Sequence, residues 1–344
     1  MPLLHNRIDR KQLKMQIQHT PEKRVTLSFY KYHPIPEPNE FRDALFIQWS
    51  KIGVLGRTYI ATEGINAQIS VPEEHFEQFK KELYEIDWLN GVRLNIAVQN
   101  SSHSFFVLDI KVRKKIVADG IEDERFDASN IGIHLTAEEF NMITSQPDTI
   151  LIDMRNHYES EVGHFEGAIC PDVDTFRDSL PIINDMLQAH KDKNIVMYCT
   201  GGIRCEKASA YLKYKGFEKV YQLEGGIIEY ARQVKAKGLP NKFIGKNFVF
   251  DERLGERISD TIIARCHQCG KPCDTHTNCK NDACHLLFIQ CEECATKYEG
   301  CCTPECQSVI HLPKEVQKEL RKGVNKGRQV FKKGRAKHLI EQHQ

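Results

Sequence analysis

Apolar and polar residues change their rhythm several times along this chain, and the changes mark out its elements. Val25-Thr-Leu-Ser-Phe-Tyr-Lys-Tyr32 alternates, which predicts a strand with one buried face. Pro36-Glu-Pro-Asn-Glu40 leads into helical spacing from Phe41 to Ile52. Val54–Ala61 and Ile65–Val71 again read as strands, joined by a turn around Gly64. Pro72-Glu-Glu74 opens a second helix with Phe76, Phe79, Leu83 and Ile86 on one face, and Val92–Val98 predicts a fourth strand. The order β-α-β-β-α-β is the split βαβ, ferredoxin-like arrangement.

From Ser101 to Ile133 the pattern gives way to a charged connector. Within it, Lys111-Val-Arg-Lys-Lys115 fits either a phosphate contact or a merely exposed basic strand. A different alternation follows from Thr136 to Ala236. Thr136-Ala-Glu-Glu139 is a capping-box helix start, and the short apolar runs Thr149–Asp153, Asn194–Tyr198 and Val220–Leu223 are separated by helical segments. Buried strands alternating with helices predict a parallel sheet covered by helices.

Composition narrows the picture where it is uneven. Lys+Arg 48 against Asp+Glu 47 names no polyanionic partner by bulk charge. The distribution says more, because Lys314 to Lys337 holds ten Lys/Arg and only two acids, Glu315 and Glu319. Glycines at 323, 327 and 334 interrupt any long rigid helix there. Of 13 cysteines, ten lie between Cys266 and Cys306, which suits a metal module in a reducing compartment better than a dispersed disulfide framework. Met-Pro-Leu-Leu-His-Asn-Arg7 has no apolar h-region and no stretch approaches membrane-span length. These features predict a cytoplasmic chain with no membrane contact and no evident obligate protein partner.

The sharpest chemical signal is Cys199-Thr-Gly-Gly-Ile-Arg204. It follows a strand pattern and precedes the helical Cys205–Leu212. A cysteine at the carboxyl end of a strand, before a glycine turn that opens a helix, is placed to be a thiolate. Loop N–H groups (Thr200, Gly201, Gly202, Ile203), the helix dipole and the Arg204 cation all favour negative charge on sulfur. Cys205 is either a resolving thiol or a small residue packing under the loop. Asp153 and Arg155 fit structural support better than reaction.

The second signal is metal. Cys266-His-Gln-Cys269 and Cys291-Glu-Glu-Cys294 are two C-x-x-C knuckles able to give four thiolates to one tetrahedral Zn²⁺. Cys273, Cys279, Cys284, Cys301, Cys302 and Cys306 supply enough further thiols for a second site, with pairing not readable from spacing. An iron–sulfur cluster would use the same ligands. In the tail, Lys322, Lys326, Arg328, Lys332, Lys333 and Arg335 are candidates for a nucleic-acid backbone, against the plainer alternative of a solvated terminus. No dinucleotide fingerprint or facial-triad pattern appears, so no flavin or nicotinamide site is evident.

Asp153-Met-Arg155, Gly163-His-Phe-Glu-Gly-Ala168, the Cys199 loop and Leu223-Glu-Gly-Gly-Ile227 fall in the order and spacing of a rhodanese domain, which this segment resembles. In that family the first loop cysteine carries a persulfide, and here that position is Cys199. Tyr59-Ile-Ala-Thr-Glu-Gly-Ile-Asn-Ala67, Tyr198–Ser209 and Cys279–Cys294 extend the resemblance over nearly the whole chain, to the bacterial rhodanese-containing tRNA uridine hydroxylases. That resemblance implies oxygen-dependent conversion of the wobble uridine to 5-hydroxyuridine, with O₂ as co-substrate, the tRNA anticodon loop as partner and one or two structural Zn²⁺ ions. A sulfurtransferase passing persulfide sulfur to tRNA or a small acceptor is the alternative that the rhodanese segment alone implies.

The expected organisation is a multidomain α/β chain. It comprises an extension (1–23), a ferredoxin-like or acylphosphatase-like domain (24–100), a connector (101–135), a rhodanese-like domain (136–237), a Cys-rich module (238–312) and a basic helical tail (313–344).

Overall fold

The computed structural model describes residues 22–99, 101, 103–123, 125–322 and 339. The described residues form two compact units. One holds those up to Ile150 together with Gln188–Pro240 and Val249–Arg253; the other holds Leu151–Leu187, Asn241–Phe248 and those from Leu254 onward.

The first unit begins with the predicted ferredoxin-like order. It runs β1 (Arg24–Tyr32), α1 (Pro38–Lys51), β2 (Leu55–Ala61), β3 (Gly64–Pro72), α2 (Phe76–Tyr84) and β4 (Asn95–Ile96). The connector then contributes a strand of its own, β5 (Leu108–Val112), which pairs parallel with β2 and completes the order β4-β1-β3-β2-β5. Leu108 and Ile110 point into the core while Asp109 and Lys111 point away, so the strand alternation sits inside a charged stretch. The fourth predicted strand is short: only Asn95 and Ile96 pair with Ser28 and Leu27. Leu27, Phe29, Ile65, Ala67, Ile69 and Ile60 pack under the helices against Trp49, Phe79 and Leu83. Trp49 is the hub, with ring centroids 6.4 Å from Phe29 and 5.7 Å from Phe79.

The chain continues through β6 (Ile133–Leu135), α3 (Ala137–Ile143) and β7 (Thr149–Asp153). Thr136 caps α3 with the reciprocal bonds of a capping box. After α4 (His157–Ser160), β8 (Gly163–Phe165) and α5 (Phe176–Leu187) come β9 (Asn194–Tyr198), α6 (Ile203–Tyr214), β10 (Val220–Leu223) and α7 (Gly226–Lys237). In the first unit β10 pairs parallel with both β6 and β9, giving the order β6-β10-β9. Val196, Met197 and Tyr198 of β9 are fully buried, as expected of a strand covered on both faces.

In the second unit β11 (Phe243–Asn247) lies antiparallel between β8 and β12 (Glu256–Arg257). The cysteine-rich part carries the hairpin β13 (His276–Asn278) and β14 (Leu287–Ile289), then α8 (Glu292–Lys297), α9 (Pro304–Ile310) and α10 (Lys314–Arg321). No described helix is long and apolar enough to cross a membrane.

Candidate active site

Cys199 follows the last residue of β9 and is fully buried. The chain turns at Gly202, whose φ of 101° is left-handed and suits glycine, and α6 begins at the next residue. This turn lets the Gly202 N–H donate to Cys199 Sγ at 3.1 Å. The other side of the loop is set by α7. Ile227 N–H donates to Cys199 O at 3.0 Å and Ile228 N–H to Thr200 O at 3.3 Å. A Cβ on Gly226 would lie 2.5 Å from Cys199 O and 2.6 Å from Thr200 O. Gly226, at the start of α7, is therefore required by the close approach of two backbones.

Burial by itself would raise the pKa of the Cys199 thiol. The Cys205 S–H, the Arg204 charge and the backbone N–H groups of Arg204 and Cys205 outweigh it and bring the thiol down from 9.0 to about 6. Burial, together with the neighbouring Cys199, pushes the Cys205 thiol well above its ordinary value. Cys205 therefore stays protonated and serves as a donor to its neighbour. Arg204 is held by Thr200, with Nη2 donating to Oγ1 at 3.2 Å, and its guanidinium lies 5.9 Å from the Phe250 ring centroid. The result is a thiolate within a ring of N–H and S–H donors, competent as a nucleophile.

The sheet of β1–β5 closes in on this loop. Asn95 Nδ2 donates to Gly201 O at 3.3 Å, and a Cβ on Gly202 would come 2.8 Å from the Tyr30 hydroxyl. Tyr30 O–H donates to Glu206 Oε1 at 2.9 Å, and Gln222 Nε2 donates to Glu206 Oε2 at 3.2 Å. His134 Nε2 lies 3.0 Å from Glu206 Oε1, and this hydrogen bond raises the pKa of the imidazole against the opposing effect of desolvation. Burial, then Glu206, pushes the Tyr30 phenol well above its ordinary value. At the next residue, Lys207 Nζ donates to Glu63 Oε2 at 2.6 Å and stands 3.4 Å from Asp119 Oδ2. Tyr30, Asn95 and His134 give no motif in the sequence, while Glu63 and Glu206 lie in the two stretches Tyr59–Ala67 and Tyr198–Ser209 that carry the resemblance, without being singled out there. Only Glu206 and Lys207, next to the cysteine loop, offered a hint of their place.

Asp153 and Arg155, both in the second unit, form a fully buried pair. Arg155 Nε donates to Asp153 Oδ1 at 2.9 Å, and Arg155 Nη2 donates to Asp153 Oδ2 and to Gly163 O, both at 2.6 Å. The arginine thereby ties the end of β7 to β8, and burial without a partner would cost several kcal/mol.

The cysteine-rich part brings its thiols into two sets of four. Cys266, Cys269, Cys291 and Cys294 form one; Cys279, Cys284, Cys302 and Cys306 form the other, and within each all Sγ atoms lie within 4.8 Å of one another. Sγ separations are 3.6 Å for Cys269–Cys291, 3.6 Å for Cys284–Cys302 and 3.7 Å for Cys302–Cys306. The edge of a tetrahedron with ~2.3 Å metal–sulfur bonds is about 3.8 Å, so both sets can hold a metal ion. Backbone and amide N–H groups support the sulfurs: Cys291 N–H reaches Cys266 Sγ at 3.3 Å and Asn281 Nδ2 reaches Cys306 Sγ at 3.4 Å. The first set is the one the paired knuckles suggested. The second joins Cys279-x₄-Cys284 to Cys302-x₃-Cys306, spacings that are less distinctive in a stretch so rich in cysteine. Cys273 and Cys301 belong to neither set.

Of the tail cations, Lys322 is paired with Glu319 at 2.6 Å on an exposed surface. Lys326, Arg328, Lys332, Lys333 and Arg335 lie outside the described residues.

Three family models match the chain: a UPF0176 acylphosphatase like domain over residues 24–116, a rhodanese-like domain over 136–233, and a rhodanase C-terminal segment over 244–307. A protein of Photorhabdus laumondii named tRNA uridine(34) hydroxylase is 58% identical over 97% of this chain and 96% of its own length. Proteins of the same name from Yersinia pestis and Yersinia pseudotuberculosis are also 58% identical, over 97% of this chain and 95% of their own.

Proposed function

The chain belongs to the tRNA uridine(34) hydroxylase family, and we propose that Cys199 is the residue through which it activates the wobble uracil toward O₂. It is a tRNA-modifying oxidoreductase built on a rhodanese-like domain. The observation that carries the role of Cys199 is its place at the end of β9, where the Gly202 N–H donates to Sγ at 3.1 Å and the Cys205 thiol and Arg204 charge favour the thiolate.

In the proposed sequence the Cys199 thiolate adds to C6 of the uracil, forming a C–S bond and moving the ring π electrons to C5 as an enolate. C5 attacks O₂, and with one proton a C5 hydroperoxide forms. A thiol-class reductant supplies two electrons and two protons, cleaving the O–O bond to leave a C5 hydroxyl and water. Loss of the C5 proton then expels Cys199 as thiolate and restores the ring as 5-hydroxyuridine. The Gly202 N–H, the Cys205 S–H and the Arg204 charge stabilise the sulfur both before addition and after release. The wobble base lies in a single-stranded loop, so presenting it costs little compared with flipping from a duplex.

Full burial of Cys199 supports a second version, in which a persulfide on Cys199 is the attacking group. One S–S bond extends the reach by about 2 Å, out of the loop floor. Intact-protein mass spectrometry separates the two: a single extra sulfur atom that turnover requires selects the persulfide and overturns the bare thiolate. The two four-cysteine sets fit Zn²⁺, which would cross-link the cysteine-rich part and take no step in the reaction. The cytoplasm is the compartment that a tRNA substrate and reduced cysteines favour.

The test is nucleoside mass spectrometry of tRNA incubated with the purified chain under isotopically labelled O₂. One labelled oxygen on the wobble uridine, lost in Cys199→Ser, is the expected result. Unlabelled product would overturn the O₂ step, and thiolated nucleosides in place of hydroxylated ones would make the protein a sulfurtransferase.

A further inference from the structure

Leu27 and Phe29 of β1 face the core, so Ser28 and Tyr30 face the opposite side of the sheet. The strand register carries Ser28 across all five strands and Tyr30 across four, in two rows. Asn95, Ser28, Gln68, Arg57 and Asp109 form one; Tyr30, Asn66, Tyr59 and Lys111 form the other. At one end both rows meet the cysteine loop, through Asn95 on Gly201 and Tyr30 beside Gly202. Asn95 spends its amide N–H on Gly201 and leaves Oδ1 without a partner among the described residues, a buried acceptor beside the loop.

The far end is cationic and aromatic. Arg57, Lys111, Arg113 and Lys114 are exposed, and the Arg113 guanidinium lies 5.6 Å from the Tyr59 ring centroid. The Arg57 side chain makes no hydrogen bond or ion pair among the described residues, while Asp109, the acid of the two rows, is already paired with Lys111. With strands about 4.8 Å apart, Tyr59 stands about 10 Å from Tyr30, a step suited to a neighbouring nucleotide.

We propose that this open sheet face binds the single-stranded RNA flanking the target uridine, with Tyr59 and Arg113 stacking on a base and Arg57 holding a phosphate. The proposal rests on the tRNA reading of the cysteine site and adds the surface that feeds it. Charge complementarity and continuity with the cysteine loop favour RNA. An aromatic ring beside exposed cations is the arrangement that tracks a single strand without apolar burial. The basic run from Lys111 to Lys114 gains a role in this way, at and just beyond the end of the outer strand β5.

The experiment measures binding of the full chain to an anticodon stem-loop RNA with uridine at the wobble position, by fluorescence anisotropy over a range of salt. Each phosphate that is no longer neutralised lowers the slope of log K against log salt by about 0.7, so the Arg57→Ala, Arg113→Ala double variant, which removes the one phosphate contact and half of the stacking pair, should bind more weakly with a slope lower by about 0.7. Tyr59→Ala should weaken binding about tenfold and Tyr59→Phe hardly at all, which separates stacking from misfolding. Lys81→Ala, on the helix α2 that covers the other face, should behave as wild type. In hydroxylation assays the sheet variants should raise KM and keep kcat. Wild-type affinity and slope in the double variant would overturn this surface while leaving the hydroxylase intact. A wild-type chain that neither binds nor hydroxylates the RNA would overturn the tRNA reading itself. If polyaspartate binding, and not RNA binding, is lost in these variants, the face belongs to an acidic polypeptide instead.

Discussion

Cys205→Ala tests the electrostatics of the cysteine loop with the least disturbance to packing. The drop in the Cys199 thiol from 9.0 to about 6 represents about 4 kcal/mol of preference for the thiolate, won against full burial. The largest favourable contribution is the Cys205 S–H, ahead of the Arg204 charge and the loop N–H groups. Removing a hydrogen bond to a charged group costs about 1.5 kcal/mol, so the Cys199 pKa should rise by roughly one unit, toward 7. The direction follows from the sign: a donor favours the ionised form, and losing it makes the proton harder to remove. The assay is the rate of chloroacetamide alkylation of the Cys199 peptide against pH, read by mass spectrometry on metal-loaded protein. Restricted access scales every rate equally and leaves the inflection in place. Wild type should inflect near 6 and the variant near 7, so alkylation at pH 6.5 should fall about threefold while the rates converge above pH 8.5. A wild-type inflection near 9, or an unmoved inflection in the variant, would refute the account of the loop as a thiolate cradle.

Gly226→Ala forces a Cβ to within 2.5 Å of Cys199 O at a φ of +65°; the chain should lose about 2–4 kcal/mol, seen as a lower calorimetric midpoint, together with most of its hydroxylase rate. Glu206→Gln removes the largest cause of the raised His134 pKa, so the imidazole titration followed by NMR should move down toward 6.5. Zinc released by an organomercurial should amount to two ions per chain, falling to one in Cys266→Ser and also in Cys284→Ser; a single ion in the wild type would exclude one of the two sets. Trp49→Ala should destabilise the first unit by about 3–5 kcal/mol in urea unfolding, since it empties the centre of a core bounded by Phe29 and Phe79.

The parts of the molecule with strong local signals were legible in the sequence. Alternation in β1, the capping box at Thr136 and the strand–glycine–helix run at Cys199 each express a local rule, and each appears where that rule puts it. The strand β5 was hidden because its two core residues, Leu108 and Ile110, sit among charges that face the other way. The surroundings of Cys199 were hidden for a different reason. Tyr30, Asn95 and Glu63 lie more than a hundred residues before the loop, and only the pairing of strands brings them to it. The second cysteine set, unlike the first, has no paired C-x-x-C spacing, and its Cys279 and Cys284 lie in the turn between β13 and β14, far in sequence from Cys302 and Cys306.

The first unit is assembled from three separate stretches, the last of them Val249–Arg253, which brings Phe250 to the Arg204 guanidinium. During synthesis the β1–β5 sheet can form early, but β9 emerges long afterward and Phe250 later still. Domains fold largely as units as the ribosome delivers them, so the nascent chain passes through a stage with a finished sheet and an unfinished sulfur site. A low-pKa thiolate exposed at that stage would be open to oxidation. Because the donors that create it, Gly202, Arg204 and Cys205, follow Cys199 within six residues and act only once α6 is in place, the nucleophile comes into being as its shelter closes. Biosynthetic order thus delays the reactive sulfur until there is a site to contain it.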